Sequence, residues 1–156
     1  MRNKKGEGYV STCVMIVIIC MLLSIFITFI LTVGIVKQVR RNSRVVLDNY
    51  VMEKSIEIYD SIKTSDSSNV AIDNERYIEL LCHYCTFHKS TQMIYNYGEN
   101  KEVLYYLSEP ELGFEEYNKL KIYVRYNLYI PIYFSGIHID TVTVPIKISS
   151  IYRDKF

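Results

Sequence analysis

Three patterns of apolar and polar positions follow one another along the chain. The first is unbroken. From Val10 to Val36 no charged residue occurs, and the run reads VSTCVMIVIICMLLSIFITFILTVGIV. As a helix rising about 1.5 Å per residue it would measure roughly 40 Å, enough to cross a hydrocarbon core of about 30 Å with tilt. Its Ile, Val, Phe and Thr residues weaken a helix in water. In lipid the backbone must satisfy its own hydrogen bonds, so the helix is retained. Residues 9–36 therefore read as a transmembrane helix. A cleaved secretory signal has an apolar core of about 7–15 residues and a small-residue site after it. This run passes through Gly34 into Ile35, Val36 and Lys37 without such a site, which favours an uncleaved anchor.

The second pattern has helical period. Residues 37–63 contain neither Pro nor Gly, so the spacing predicts that the membrane helix runs on as an amphipathic one. Val45, Met52, Ile56 and Tyr59 fall on one stripe, and Leu47, Val51, Ile58 and Ile62 on an adjacent one. Asn49, Glu53, Lys54, Glu57, Asp60 and Ser61 take the other side. The apolar arc covers about half the circumference, wider than one buried face requires. It predicts either a single wide core face or a helix that packs on its own sheet and on a neighbouring subunit as well. The polar cluster Thr64–Asn69 ends this spine, and 64–72 reads as a loop.

The third pattern alternates. Asp73–Cys82 reads as a short helix capped by Asp73, with Tyr77, Leu80 and Leu81 on its apolar face. Thr91–Tyr97 reads as a strand, Gly98–Asn100 as a turn and Glu102–Leu107 as the partner strand. Lys121–Phe134 keeps period two throughout: Ile122, Val124, Tyr126, Leu128, Ile130, Ile132 and Phe134 on one face, polar and Tyr residues on the other. Pro131 limits that segment to an edge, a bend or the end of the pairing. After Ser135 and Gly136 the alternation returns through Val142, Val144, Ile146 and Ile148, and its slip near Ser150 and Ile151 predicts a bulge. Residues 73–156 thus read as a small antiparallel sheet domain, and the fold class as α+β. Glu109, Glu111, Glu115 and Glu116, around Pro110 and Gly113, read as a solvated loop.

Composition narrows the function classes. With 18 Lys+Arg against 17 Asp+Glu the net charge is +1, and no basic body points to nucleic acid. After the apolar run 120 residues remain, enough for one small domain and too few for a large enzyme scaffold. No G-x-S-x-G, Walker loop, H-E-x-x-H or other catalytic signature occurs, so neither a catalytic residue nor a cofactor is assigned. Cys82-His-Tyr-Cys85-Thr-Phe-His88 is the one cluster that could carry chemistry. His138 is a further conceivable ligand, but the second ligand pair of a zinc signature is missing. Cys82 and Cys85 read first as a small disulfide or as free thiols; a metal site and redox catalysis are the alternatives. Cys13 and Cys20, seven apart, read as small packing residues of the span. The 15 Tyr residues fit strands, and also an adhesive or subunit-packing face.

Positive charge does not orient the span. Arg2, Lys4 and Lys5 precede it, and Lys37, Arg40, Arg41 and Arg44 follow it. The junction Lys4-Lys5-Gly6-Glu7-Gly8-Tyr9 leads straight into the apolar helix, and there the chain resembles a type IV prepilin or pseudopilin. The basic GEGY junction, long helix and small β-rich tail are most similar to TadE-like pseudopilins. More narrowly, they are similar to a family associated with tight-adherence-type pilus clusters of Gram-positive bacteria. The resemblance covers the N-terminal third, and the remainder in architecture only. It implies that residues 1–8 form a leader and junction cut by prepilin peptidase, with Gly6 before the cut and Glu7 first in the mature chain. It also implies a cytoplasmic N-terminus, an extracellular tail, and membrane lipid, other pilin-like subunits and assembly machinery as partners. Ser11 departs from the pattern, because an acidic residue usually stands five places into the mature chain. The expected function is a non-enzymatic, single-pass, pilin-like subunit of a pilus-like or secretion-like filament. The alternative is a signal-anchored extracytoplasmic binding domain that does not assemble.

Overall fold

The computed structural model describes residues 4–57, 72–90, 92–99, 101–116, 120–134 and 136–151. Its order is α1 (Lys4–Glu53), α2 (Asn74–Cys85), β1 (His88–Lys89), β2 (Met93–Tyr97), β3 (Val103–Ser108), β4 (Glu111–Glu116), β5 (Leu120–Phe134) and β6 (Ile137–Ile151). The architecture is α+β. The chain divides into two units, Met1–Ile35 and Val36–Phe156.

Unit 1 is helix from Lys4 onward. Its large apolar side chains from Tyr9 to Leu31 are all exposed. Two threonines of this unit bond back to the backbone: Thr28 Oγ1 donates to the Ser24 carbonyl and Thr32 Oγ1 to the Thr28 carbonyl, both at 2.9 Å. Such back-bonding is how a hydroxyl is satisfied where no water is at hand.

Unit 2 opens with the last turns of α1. Val39, Ser43, Val46, Leu47, Tyr50 and Val51 are buried there. Of the two stripes expected from the sequence, the one through Leu47 and Val51 is core. The other is not: Val45, Met52 and Ile56 are 50, 69 and 76% exposed. A single wide core face is thereby corrected to a narrower one. The amphipathic helix expected to run unbroken to Lys63 is also interrupted. α1 ends at Glu53, Lys54 lies in a turn, and residues 55–57 are helical; residues 58–63 fall outside the described ones. The interruption coincides with the meeting of α1 and the start of α2. Tyr50 Oη accepts from the Asp73 amide at 3.0 Å, and Glu53 accepts from Arg76 Nε at 2.9 Å.

α2 begins as expected, with the Asp73 carboxylate accepting from the Arg76 amide at 3.0 Å. It continues past Cys82 to Cys85 and stops at Thr86, which takes the left-handed conformation at φ 52°. Tyr77, Ile78, Leu81 and Cys85 form its buried stripe.

The sheet is organised around β5. β6 pairs with it along its whole length, from Lys121 opposite Ile151 to Phe134 opposite Ile137. β3 and β4 share the other edge, end to end and both antiparallel to β5. β2 pairs with β3, and the short β1 with β2. The segment read as a solvated acidic loop is therefore a strand at Glu111–Glu116. Leu107 lies opposite Leu128 and Glu111 opposite Arg125. The β3–β4 line thus carries one residue more than β5 across this interval, which is a bulge around the buried Pro110. At the bulge the Asn127 amide donates to Ser108 Oγ at 2.9 Å. In β4, Gly113 leaves room for the Tyr123 ring, which a Cβ at that position would overlap. The bulge expected at Ser150 and Ile151 is absent. Register there is continuous: the half-exposed Ser150 stands opposite the buried Ile122, and its hydroxyl donates to the exposed Asp48 of α1 at 2.6 Å. The slip lies instead at Ile132/Tyr133, near the turn. Pro131 is accommodated as expected, since β3 pairs no further along β5 than Tyr129 and that edge lies open at Pro131.

The core joins α1 and α2 to the inner face of the sheet at Ile122, Val124, Tyr126, Leu128, Ile130, Ile146 and Ile148. Ser43 is its buried polar residue, and it hydrogen-bonds the Tyr126 hydroxyl. The Tyr77 hydroxyl is buried near Ser43 without meeting hydrogen-bond geometry. Two phenylalanine substitutions are expected to differ in sign. Tyr126→Phe strands Ser43 and costs about 1–3 kcal/mol. Tyr77→Phe removes an unpaired group and leaves stability unchanged or raised by about 1 kcal/mol. Urea unfolding of the full chain in mild detergent reads both, and equal losses would refute the assignment.

Candidate functional site: the apolar helix and its flanks

The sequence of α1 places three features in succession. Gly6 and Glu7, the pair expected to be recognised for processing, lie within the helix that begins at Lys4. The structure describes their backbone only. Next comes an apolar surface. α1 is the one helix among the described residues that is long and apolar enough to cross a membrane; the peak of its mean hydropathy is 3.2, and none of that window is buried. It fits a single-pass membrane anchor. The third feature opens unit 2: Lys37, Arg40, Arg41 and Arg44 are all exposed. Their spacing of three, one and three residues sets them on one stripe, away from the buried side. Such a stripe beside an apolar segment attracts anionic headgroups, about 1 kcal/mol for each residue near the surface.

The Cys–His cluster is not assembled into a centre. Cys82 and Cys85 sit one turn apart on α2 as free thiols, Cys82 half-buried and Cys85 buried. His83 packs edge-on to Tyr84 and His88 tilts against Tyr97. His138 is in β6, 3.0 Å from Thr141 Oγ1. Among the described residues no three His, Cys, Asp or Glu side chains converge on a metal position. Burial raises the Cys82 thiol, with partial relief from Lys89. Burial, and then the neighbouring Cys82, push Cys85 up to about 11. The thiolate is the nucleophile and metal ligand, so both groups remain protonated, weakly reactive thiols at neutral pH. Alkylation of the full chain with iodoacetamide, followed by peptide mapping, is expected to modify Cys82 before Cys85. The Cys85 rate should climb until the pH approaches 11, because a raised value keeps the proton on to higher pH. Rapid labelling of Cys85 at pH 7 would contradict this.

The outer face of the sheet carries a row of Tyr residues, whereas Tyr105 and Tyr126 are buried in the core. Tyr95 stacks on Tyr97, meets Tyr106 across strands, and Tyr106 stacks on Tyr129 at 4.9 Å between centroids. Arg125 and Lys147 both lie over the Tyr123 ring, at 5.2 and 4.7 Å. A shallow open groove of about 480 Å³ lies at the bulge, lined by Glu109, Glu111, Arg125, Asn127 and Lys147 among others. Arg125 reaches Glu111 at 4.0 Å, an exposed pair of little energetic weight. Cross-strand aromatic pairs of this kind stabilise a sheet in their own right.

Sequence reasoning missed one of these features as a unit. The basic residues were visible, yet their common stripe follows only from helical phase. Helical period put Val45, Met52 and Ile56 on a stripe open to two roles, part of a wide core face or a second packing surface, and unit 2 leaves it uncovered. Compared with protein-family models, with curated proteins and with solved structures, the chain matches none.

Proposed function

We propose that this protein is a pilin-like, single-pass membrane subunit whose α1 helix serves first as membrane anchor and then as a packing surface in a pilus-like or secretion-like filament. The observation that carries the reading is the division of labour along α1. Its apolar segment is exposed from Tyr9 to Leu31, and its continuation keeps an apolar stripe at Val45 and Met52 that unit 2 leaves uncovered. A simple anchor needs the first feature and has no use for the second. In this reading Gly6 and Glu7 flank a prepilin-peptidase cut, the N-terminus is cytoplasmic and the sheet domain is extracellular. No catalytic role is assigned to the sheet domain.

One observation favours the second reading, an anchored binding domain that does not assemble. Ser11 supplies no carboxylate to offset the terminal charge of a neighbouring subunit, and an unpaired charge in lipid is costly. Intact mass of the protein purified from its native membrane separates the two. Loss of the first six residues is expected, whereas a full-length leader would refute processing.

A further inference from the structure

β6 runs for 15 residues, and among the described residues its second edge has no strand beside it. A long unpaired edge is a template for pairing with another chain. What this edge offers a partner follows from two hydrogen bonds outside the ladder.

The Asn127 amide donates to Ser108 Oγ, on the β3 side of β5. Asn127 thus points its backbone N–H and C=O away from β6, and its partner Pro145 points its own backbone away from β5. Register between the two strands is continuous from Lys121 to Ile132, so the alternation carries along β6. Thr141, Thr143, Pro145, Lys147, Ser149 and Ile151 therefore turn their backbone groups to the open edge. Thr141 gives an independent check, because its amide donates to the Asp140 carboxylate at 2.7 Å and not to β5.

Two of these positions spoil the edge as a template. Pro145 has no N–H to give. Thr141 has one, and Asp140 of the same strand holds it. Of the successive positions 141, 143 and 145, Thr143 alone keeps a donor for a partner strand. Beyond Pro145 only Lys147, Ser149 and Ile151 point outward before β6 ends, and the exposed Lys147 sets a charge at the first of them. The other edges are closed by different means. β1 is two residues long. In β4 the Leu112 amide, which faces away from β5 by the same alternation, donates to Asn74 of α2 at 3.3 Å.

We propose that Pro145 and Asp140 guard the outer edge of β6 against pairing with a second copy of this chain. A second copy is the partner excluded because antiparallel pairing of β6 with itself about Pro145 is self-complementary. It sets residue 145 opposite itself, Thr143 opposite Lys147 and Thr141 opposite Ser149, so no like charges meet. A proline at the centre deletes both central bonds, and an aspartate competes for a donor at each end. The guard operates whether or not α1 packs in a filament. It leaves contacts between copies to side chains instead of backbone.

The full chain in mild detergent tests this as wild type, Asp140→Ala, Pro145→Val and the double variant. Positions 140 and 145 are exposed, and circular dichroism verifies the fold. Crosslinking over a range of protein concentrations reads self-association, and amide hydrogen exchange reads the edge at Thr143. In the wild type the Thr143 amide should exchange at one rate at every concentration. The double variant should associate at least about tenfold more tightly, because it regains the central bonds, and its Thr143 exchange should slow as concentration rises. Each single variant should fall between. A double variant that associates no more tightly than wild type would overturn the proposal. So would one that associates without protecting Thr143. Concentration-dependent protection of Thr143 in the wild type would reveal an edge already in use, which also overturns it. If the double variant does not fold, Pro145→Val alone decides by the same comparison.

Discussion

Leu47→Asp is expected to unfold the sheet domain, whereas Val45→Asp, two residues away on the same helix, is expected to leave it folded. Leu47 is fully buried between α1 and the rest of unit 2, and Val45 is half exposed. Truncating a buried Leu to Ala costs about 2–5 kcal/mol through lost transfer energy and the cavity left behind. Aspartate adds the penalty of an unpaired charge in an apolar site. Against a total stability of about 5–15 kcal/mol, the sum suffices to abolish the folded state. At position 45 the carboxylate points to solvent, with Arg41 one turn earlier to receive it, and the change should stay within about 0.5 kcal/mol. Urea titrations of both variants in mild detergent, followed by far-UV dichroism, make the comparison. Leu47→Ala provides the intermediate case if Leu47→Asp does not accumulate. Equal damage at both positions would mean that the Val45 stripe is core and that α1 has no uncovered face.

That pair of residues also shows where the sequence was legible. Helical period located both stripes, but it could not rank them, since Val45, Met52 and Ile56 are as apolar as Leu47 and Val51. What selects the core stripe is non-local: Tyr50 meets the Tyr77 ring of α2, and Ser43 meets the Tyr126 hydroxyl of β5. The long alternation of β5 was readable because fourteen positions repeat one rule, and Pro131 falls where its second edge is unpaired. β4 was not, for a definite reason. Pro110, Gly113 and four Glu residues all signal a loop, and the extra residue at the bulge reverses the parity between Leu107 and Leu112 on the core face. Gly113 is required by the Tyr123 ring above it, not by a turn. The roles of the buried Ser43 and the half-exposed Ser150 were hidden because their partners, Tyr126 and Asp48, lie 83 and 102 residues away in sequence. At the candidate site, Gly6 and Glu7 were suggested only by resemblance, while the apolar helix announced itself by length.

The apolar segment itself yields the second large effect. Ile19→Asp combined with Leu23→Asp is expected to abolish stable membrane integration of the full chain. Its Ile, Leu, Val and Phe residues between Val14 and Leu31 each favour insertion by about 0.3–0.6 kcal/mol, together roughly 4–8 kcal/mol. Two carboxylates near the centre of the segment oppose it by about 5–7 kcal/mol. They also lie one turn apart on one face, so a single helical rotation cannot hide one from the other. The surplus is thereby cancelled, whereas either substitution alone leaves part of it and should integrate less efficiently rather than fail. Resistance of the membrane-bound protein to extraction at alkaline pH reads the difference. The wild-type chain and the single variants should stay with the membrane, and the double variant should be released. An equally retained double variant would show that the apolar helix is not what holds the protein there. Retention would then rest on the basic stripe, and high salt, which leaves a spanning helix in place, would strip it.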